Sequence, residues 1–157
     1  MNLSEHFKLD PASPSYVAWA RDGKVVRAGD PAVCLTHNGY YVAKVGGRRY
    51  LLHRVVYELT HGHCPAVIDH IDTDKLNNHP DNLRAATSTI NAWNASRRED
   101  NTSGIKGLSW HSQSGGWRGQ IARNGKRYTK RSMDKAEVIA WLIATRNELH
   151  KEYANHG

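Results

Sequence analysis

Apolar residues recur with two different periods along the 157-residue chain. Between Leu52 and Leu59 they fall at helical spacing, with Val55, Val56 and Leu59 on one side and Gly62 placed to stop the helix. His53 stands at the start of that helix and reads as a buried, satisfied structural histidine. Val67 and Ile68 form a short apolar strand, and Leu83 to Ala86 a second one. The stretch from Asp72 to Asn82 between them is polar and rich in turn-forming Asp, Asn and Pro. Ser88 then caps a helix that runs to about Arg98. A hairpin followed directly by a helix folds back on itself, which turns the end of the first strand toward the first turn of the helix.

After the polar, charged run Ala95 to Gly104 the pattern changes to strands at Gly107 to His111, Trp117 to Arg123 and Arg127 to Arg131. Gly115-Gly116 and Asn124-Gly125 supply the turns, the second being a strong hairpin signal. A helix follows, with Asp134 as its cap, Glu137 completing a capping box, and Val138, Ile139, Leu142, Ile143, Leu149 and Tyr153 as an apolar stripe. Alternation along the strands turns Leu108, Trp110, Trp117, Ile121 and Tyr128 toward that helix. It turns Ser109, His111, Arg118, Gln120, Arg127 and Thr129 away. The fold class is α+β. N-terminal strands and a strand-loop-strand-helix core make a first domain over residues 1–98, residues 99–103 a linker, and a three-stranded antiparallel sheet packed on one helix a second domain over 104–157. Pro11-Ala-Ser-Pro14 reads as a turn or loose segment.

The charge changes the picture more than the hydrophobic content does. A formal net charge of +7 fits a polyanionic partner, whose phosphate contacts release counterions. Many basic proteins bind nothing, so charge alone assigns no function. Cys34 and Cys64 are far apart and read as free thiols in a reducing cytoplasm, and no segment is apolar enough to enter a membrane.

Chemistry concentrates between residues 67 and 91. Asp69 and the amide oxygen of Asn91 are oxygen donors suited to Mg2+, which keeps several waters and needs few protein ligands; Mn2+ suits the same set. His70, an imidazole that exchanges its proton near neutrality, is the candidate general base for in-line attack of water on a phosphodiester. Asn82 or Asn91 taken singly is a turn former or a cap; what carries the reading is the whole set in register with the strand, loop and helix signals. His61-Gly-His-Cys64 does not make a structural zinc site, because the chain lacks the paired ligands that zinc takes. Arg84 is a candidate phosphate contact from the hairpin.

In order and spacing, Asp69-His70, Asn82 and Asn91 resemble the HNH, or ββα-metal, nucleases, and in particular the phage-type HNH homing endonucleases, with Asn at the third position. The resemblance implies that Asp69 and Asn91 bind the divalent metal, that His70 activates water, and that Asn82 bonds within the loop to hold His70 in orientation. Leu52-His-Arg-Val-Val-Tyr57 looks like the helix ahead of that family's active site. Ala28-Gly-Asp-Pro-Ala32, Gly39-Tyr-Tyr-Val42 and Gly47-Arg-Arg-Tyr50 resemble strands common in phage HNH proteins.

The C-terminal pattern Gly104-Ile-Lys-Gly-Leu-Ser-Trp-His, Gly-Gly-Trp-Arg-Gly-Gln-Ile and Asn-Gly-Lys-Arg-Tyr resembles the ethylene-response-factor (apetala-two) DNA-binding domain. That implies double-stranded DNA as partner, with Lys106, Ser109, His111, Arg118, Gln120, Arg127 and Thr129 on the reading side, and no small-molecule cofactor. Ala122 and Lys130-Arg-Ser-Met133 depart from the plant pattern, so no base preference carries over. Read from the residues, a strand face of Arg and Gln suits base edges in the major groove, and Lys126, Lys130 and Arg131 suit phosphate. The protein is expected to be a monomer or weak dimer. A DNA endonuclease and a catalytically silent DNA-binding regulator are the two competing readings.

Overall fold

Helix α1, Leu52–His61, is the element around which the N-terminal half of the computed structural model is assembled. The structure describes residues 2–94, 101–150 and 154. Leu52, Val55 and Val56 are almost completely buried along one side of α1, and Gly62 ends it in the left-handed conformation, its N–H donating to Glu58 O at 2.8 Å. Around this face lie the pair β1 (Phe7–Leu9) and β2 (Val17–Trp19), and a sheet of β3 (Cys34–Leu35), β4 (Tyr41–Val45) and β5 (Arg48–Leu51) in that order. Phe7, Val17, Ala43, Ile68 and Leu83 join the helix residues in one core. Ala28 to Ala32, expected as a strand, makes only a single bridge between Pro31 and Ala18. Gly29 has φ +94° and Pro31 lacks the N–H that a ladder needs.

The hairpin follows as β6 (Val67–His70) and β7 (Leu83–Ala86), antiparallel, with Asp69 opposite Arg84 and His70 opposite Leu83. Helix α2, Ser88–Asn94, comes next. Its cap is Thr87 rather than Ser88: the Thr87 hydroxyl accepts from Ile90 N–H at 3.1 Å. Its expected continuation to Arg98 lies outside the described residues.

The chain divides into two compact units, Met1–Asn91 and Ala92–Gly157. The second holds β8 (Leu108–His111), β9 (Gly116–Arg123) and β10 (Lys126–Ser132) in the order β10-β9-β8, and helix α3 (Lys135–His150). Leu108, Ile121, Val138 and Leu142 form its core. Gly119 sets the distance between helix and sheet. A Cβ there would stand 2.8 Å from Val138 Cγ1 and 3.0 Å from Leu142 Cγ, so the helix rests directly on strand backbone.

Three expectations about α3 and its sheet are corrected. Its buried line is Val138, Leu142, Arg146 and His150, while Ile143, one step around from Leu142, is 39% exposed; Tyr153 lies outside the described residues. Asp134 does cap the helix, accepting from Ala136 N–H at 2.8 Å, but Glu137 takes the Ser132 hydroxyl and Lys130 Nζ instead of closing a capping box. Trp110 shares a face with Leu108 yet is 52% exposed, because it lies toward the sheet end and meets Trp117 edge-on at 5.3 Å rather than the helix.

Candidate nuclease site and nucleic-acid face

His70 closes strand β6 with only 6% of its surface exposed. Pairing with Leu83 fixes its backbone, and its ring is held by two kinds of neighbour. His53, from the first turn of α1, packs edge-on against it at 5.2 Å, and Tyr40 lies 6.3 Å away. His70 Nε2 lies 3.2 Å from the Oδ1 of Asn78, a residue only 2% exposed. The Asn78 amide nitrogen donates in turn to Ser15 O at 3.1 Å.

His53 is buried as expected, but its surroundings make it part of the site. Burial first, then the charges of His70 and Arg54, push its imidazole down to about 4. A neutral ring therefore stands beside His70 at neutral pH and adds no like charge there.

Asp69 is 3% exposed and faces Arg84 across the hairpin. Arg84 donates from Nε at 2.9 Å and from a terminal nitrogen at 2.7 Å, both to Asp69 Oδ2. The pairing redirects Arg84 from the expected phosphate contact toward a carboxylate inside the protein. Asn91 lies in the first turn of α2 with its side chain exposed, its N–H bonded to Thr87 O. The structure thus gathers Asp69, His70 and Arg84 on the hairpin and sets Asn91 on the helix that follows.

Asn82 does bond within the loop, though its contacts run to the loop and not to the imidazole. Its amide donates to Asp72 Oδ1 at 2.9 Å and to Asn77 O at 2.8 Å, and its oxygen accepts from Asp72 N–H at 3.1 Å. Burial raises the Asp72 carboxyl somewhat, but hydrogen bonds from Asn77, Asn82 and the Asp74 N–H outweigh it and leave the group below its usual range. Asn78, the direct partner of His70, was hidden in the run Asn77-Asn78-His79, where all three residues read as loop formers. The signal that separates it is burial, which a polar loop sequence does not display.

The donor chemistry fits a hard divalent cation, since Asp69 and Asn91 offer oxygen. Among the described residues, no three His, Cys, Asp or Glu side chains gather into a group of the kind that holds zinc.

In the second unit the outer sheet face is ordered in rungs: Ser109 and Arg131 flank Arg118, Thr129 lies opposite Gln120, and Arg127 opposite Ala122. Arg127 and Thr129 are exposed, and Arg118, Gln120 and Ser109 partly so. His111 lies at the strand end with Nδ1 2.8 Å from the Ser114 hydroxyl. Lys106 stands apart from these rungs. It is partly buried, its backbone oxygen accepts from Arg146, and burial with the Arg146 charge lowers its ammonium to about 8. Lys130, expected to meet phosphate, pairs with Glu137 at 2.7 Å.

Comparison with known proteins agrees with the position of this site. Residues 50–93 match the HNH endonuclease family model. The chain is 45% identical over 104 residues to Protein 3.8 of Escherichia phage T7, covering 65% of this chain and 86% of that protein. It is 32% identical over 124 residues to an uncharacterized HNH endonuclease of Acanthamoeba polyphaga mimivirus, covering 76% of this chain and 63% of the mimivirus protein. No solved structure matches. The matched segment contains α1, the hairpin and all four residues of the Asp-His-Asn-Asn set, and the chain belongs to the family of phage T7 Protein 3.8, with an HNH endonuclease domain at residues 50–93.

Proposed function

We propose that this protein is a divalent-metal-dependent DNA endonuclease of the phage homing type, in which residues 1–98 cut and residues 104–157 dock the DNA. The observation that carries the reading is a buried imidazole, His70, next to a buried carboxylate, Asp69, at the end of one strand inside the HNH match. Asp69 and Asn91 would hold Mg2+ or Mn2+, which when bound supplies charge stabilisation for the phosphate in its transition state. His70 takes a proton from the attacking water, with its ring set by Asn78 and walled by neutral His53. Asn82 stiffens the loop from which Asn78 projects. The outer rungs of the second sheet, with Arg118, Gln120, Arg127 and Thr129, face DNA, and Arg and Gln suit base edges.

One observation favours the other reading, a silent DNA-binding regulator: the Asp69 carboxylate is already neutralised by Arg84. Incubation of supercoiled plasmid with the protein and Mg2+, with EDTA and His70→Ala as controls, separates the two. Metal-dependent nicking that the variant loses supports the enzyme. Activity retained by His70→Ala refutes the general base, and salt-sensitive binding without any cleavage supports the regulator.

A further inference from the structure

The sequence match that identifies the nuclease domain begins at residue 50, but groups that hold His70 come from ahead of it. Ser13 and Ser15 are buried polar residues in the turn between β1 and β2. The Ser13 hydroxyl donates to Val17 O at 2.8 Å and lies 3.2 Å from the Ser15 hydroxyl. Backbone bonds from Ser13 N to Asp10 O and from Tyr16 N to Ser13 O close the turn. Tyr16 adopts φ +65°, a region a non-glycine residue seldom enters unless its surroundings impose it. The Tyr16 ring meets His79 edge-on at 5.0 Å, next to Asn78 in the chain. This braced turn presents Ser15 O to the Asn78 amide.

A backbone carbonyl can only accept, so the Asn78 atom facing Ser15 is the NH2 group and the atom facing His70 is the oxygen. That oxygen can only accept as well, so His70 Nε2 carries a hydrogen and the lone pair of the neutral ring falls on Nδ1. Resting on the nuclease reading above, we propose that Asn78 is a positioning residue for the general base. Anchored on the Ser15 carbonyl of the N-terminal turn, it fixes His70 in the Nε2–H form and aims Nδ1 at the water to be activated. The N-terminal strands are thereby a working part of the active site, in addition to their share in the core.

The test uses the full-length, metal-free, 15N-labelled protein at a pH where His70 is neutral, with its ring resonances assigned by their loss in His70→Gln. The expected spectrum shows a protonated Nε2 with its hydrogen protected from exchange with water, and an unprotonated Nδ1. Asn78→Leu, close in size but unable to bond, should lose that protection. In plasmid nicking it should lower kcat roughly 10- to 100-fold with KM nearly unchanged. A hydrogen on Nδ1 in the wild type, or full kcat in Asn78→Leu, overturns the proposal. Should Asn78→Leu not fold, the wild-type spectrum alone decides. If His70→Ala still cleaves while the wild-type Nε2–H is protected, it is the general-base reading that fails and the hydrogen bond that stands.

Discussion

His53 provides a titration that can be followed without any substrate. In the folded protein its imidazole is held near 4 by burial and by His70, against 6.5 for a free side chain. A histidine whose folded value is depressed contributes in full above the unfolded value. The contribution is lost as pH falls through the window from 6.5 toward 4, because the unfolded chain takes up a proton that the folded one refuses. One pKa unit corresponds to about 1.4 kcal/mol, so the gap amounts to about 3 kcal/mol by pH 4. The residue is only 7% exposed, so solvent screening does not erode this figure. The measurement is urea unfolding of wild type and His53→Leu at pH 7 and at pH 4. Asp72, whose lowered carboxyl also weakens the fold in acid, is common to both proteins and cancels. The difference between wild type and variant should move by about 3 kcal/mol in favour of the variant on going to pH 4. Curves that stay parallel across this range would show that His53 titrates as an ordinary exposed histidine, and the neutral wall beside His70 would be refuted.

Other perturbations address other parts of the molecule. Arg84→Gln strips the guanidinium from buried Asp69 and should cost roughly 3–5 kcal/mol in metal-free protein, with Mg2+ restoring part of it; a thermal melt insensitive to Mg2+ would count against Asp69 as a metal ligand. Gly119→Ala forces a methyl group against Val138, Leu142 and Trp141 and should destabilise the second unit by about 1–3 kcal/mol in urea unfolding; an unchanged midpoint would mean that α3 shifts freely over the sheet. Arg118→Ala with Arg127→Ala should weaken DNA binding in a gel-shift titration and flatten its salt slope by roughly 2, and unaltered binding would remove the outer sheet face from the docking surface.

Much of the fold was legible because local rules governed it. Alternating positions and the Asn124-Gly125 turn located β9 and β10, and Gly62 located the end of α1. Where the reading departed from the structure, a tertiary contact had outweighed a local preference. Glu137 left its capping box for Lys130 and Ser132 on the neighbouring strand, and Arg146 took a place in the buried line of α3 by donating to Lys106 O. At the site, spacing singled out Asp69, His70, Asn82 and Asn91, since those residue types in that order have a chemical use. Asn78 was not legible: its role depends on Ser15, 63 residues earlier, and no local pattern links the two. His53 was recognised as buried, but which ring it would touch depended on how α1 lies against β6.

The same long-range hydrogen bond has a bearing on how the chain folds. Contacts between segments far apart in sequence form at a high entropic cost and are made late. A chain that has formed α1 and the hairpin but has not yet docked the Ser13–Tyr16 turn would already possess the carboxylate and the imidazole, with the imidazole still unaimed. Cleavage competence would then arrive with the last stage of assembly, so that nascent or partly unfolded molecules, basic enough to cling to nucleic acid, bind without cutting.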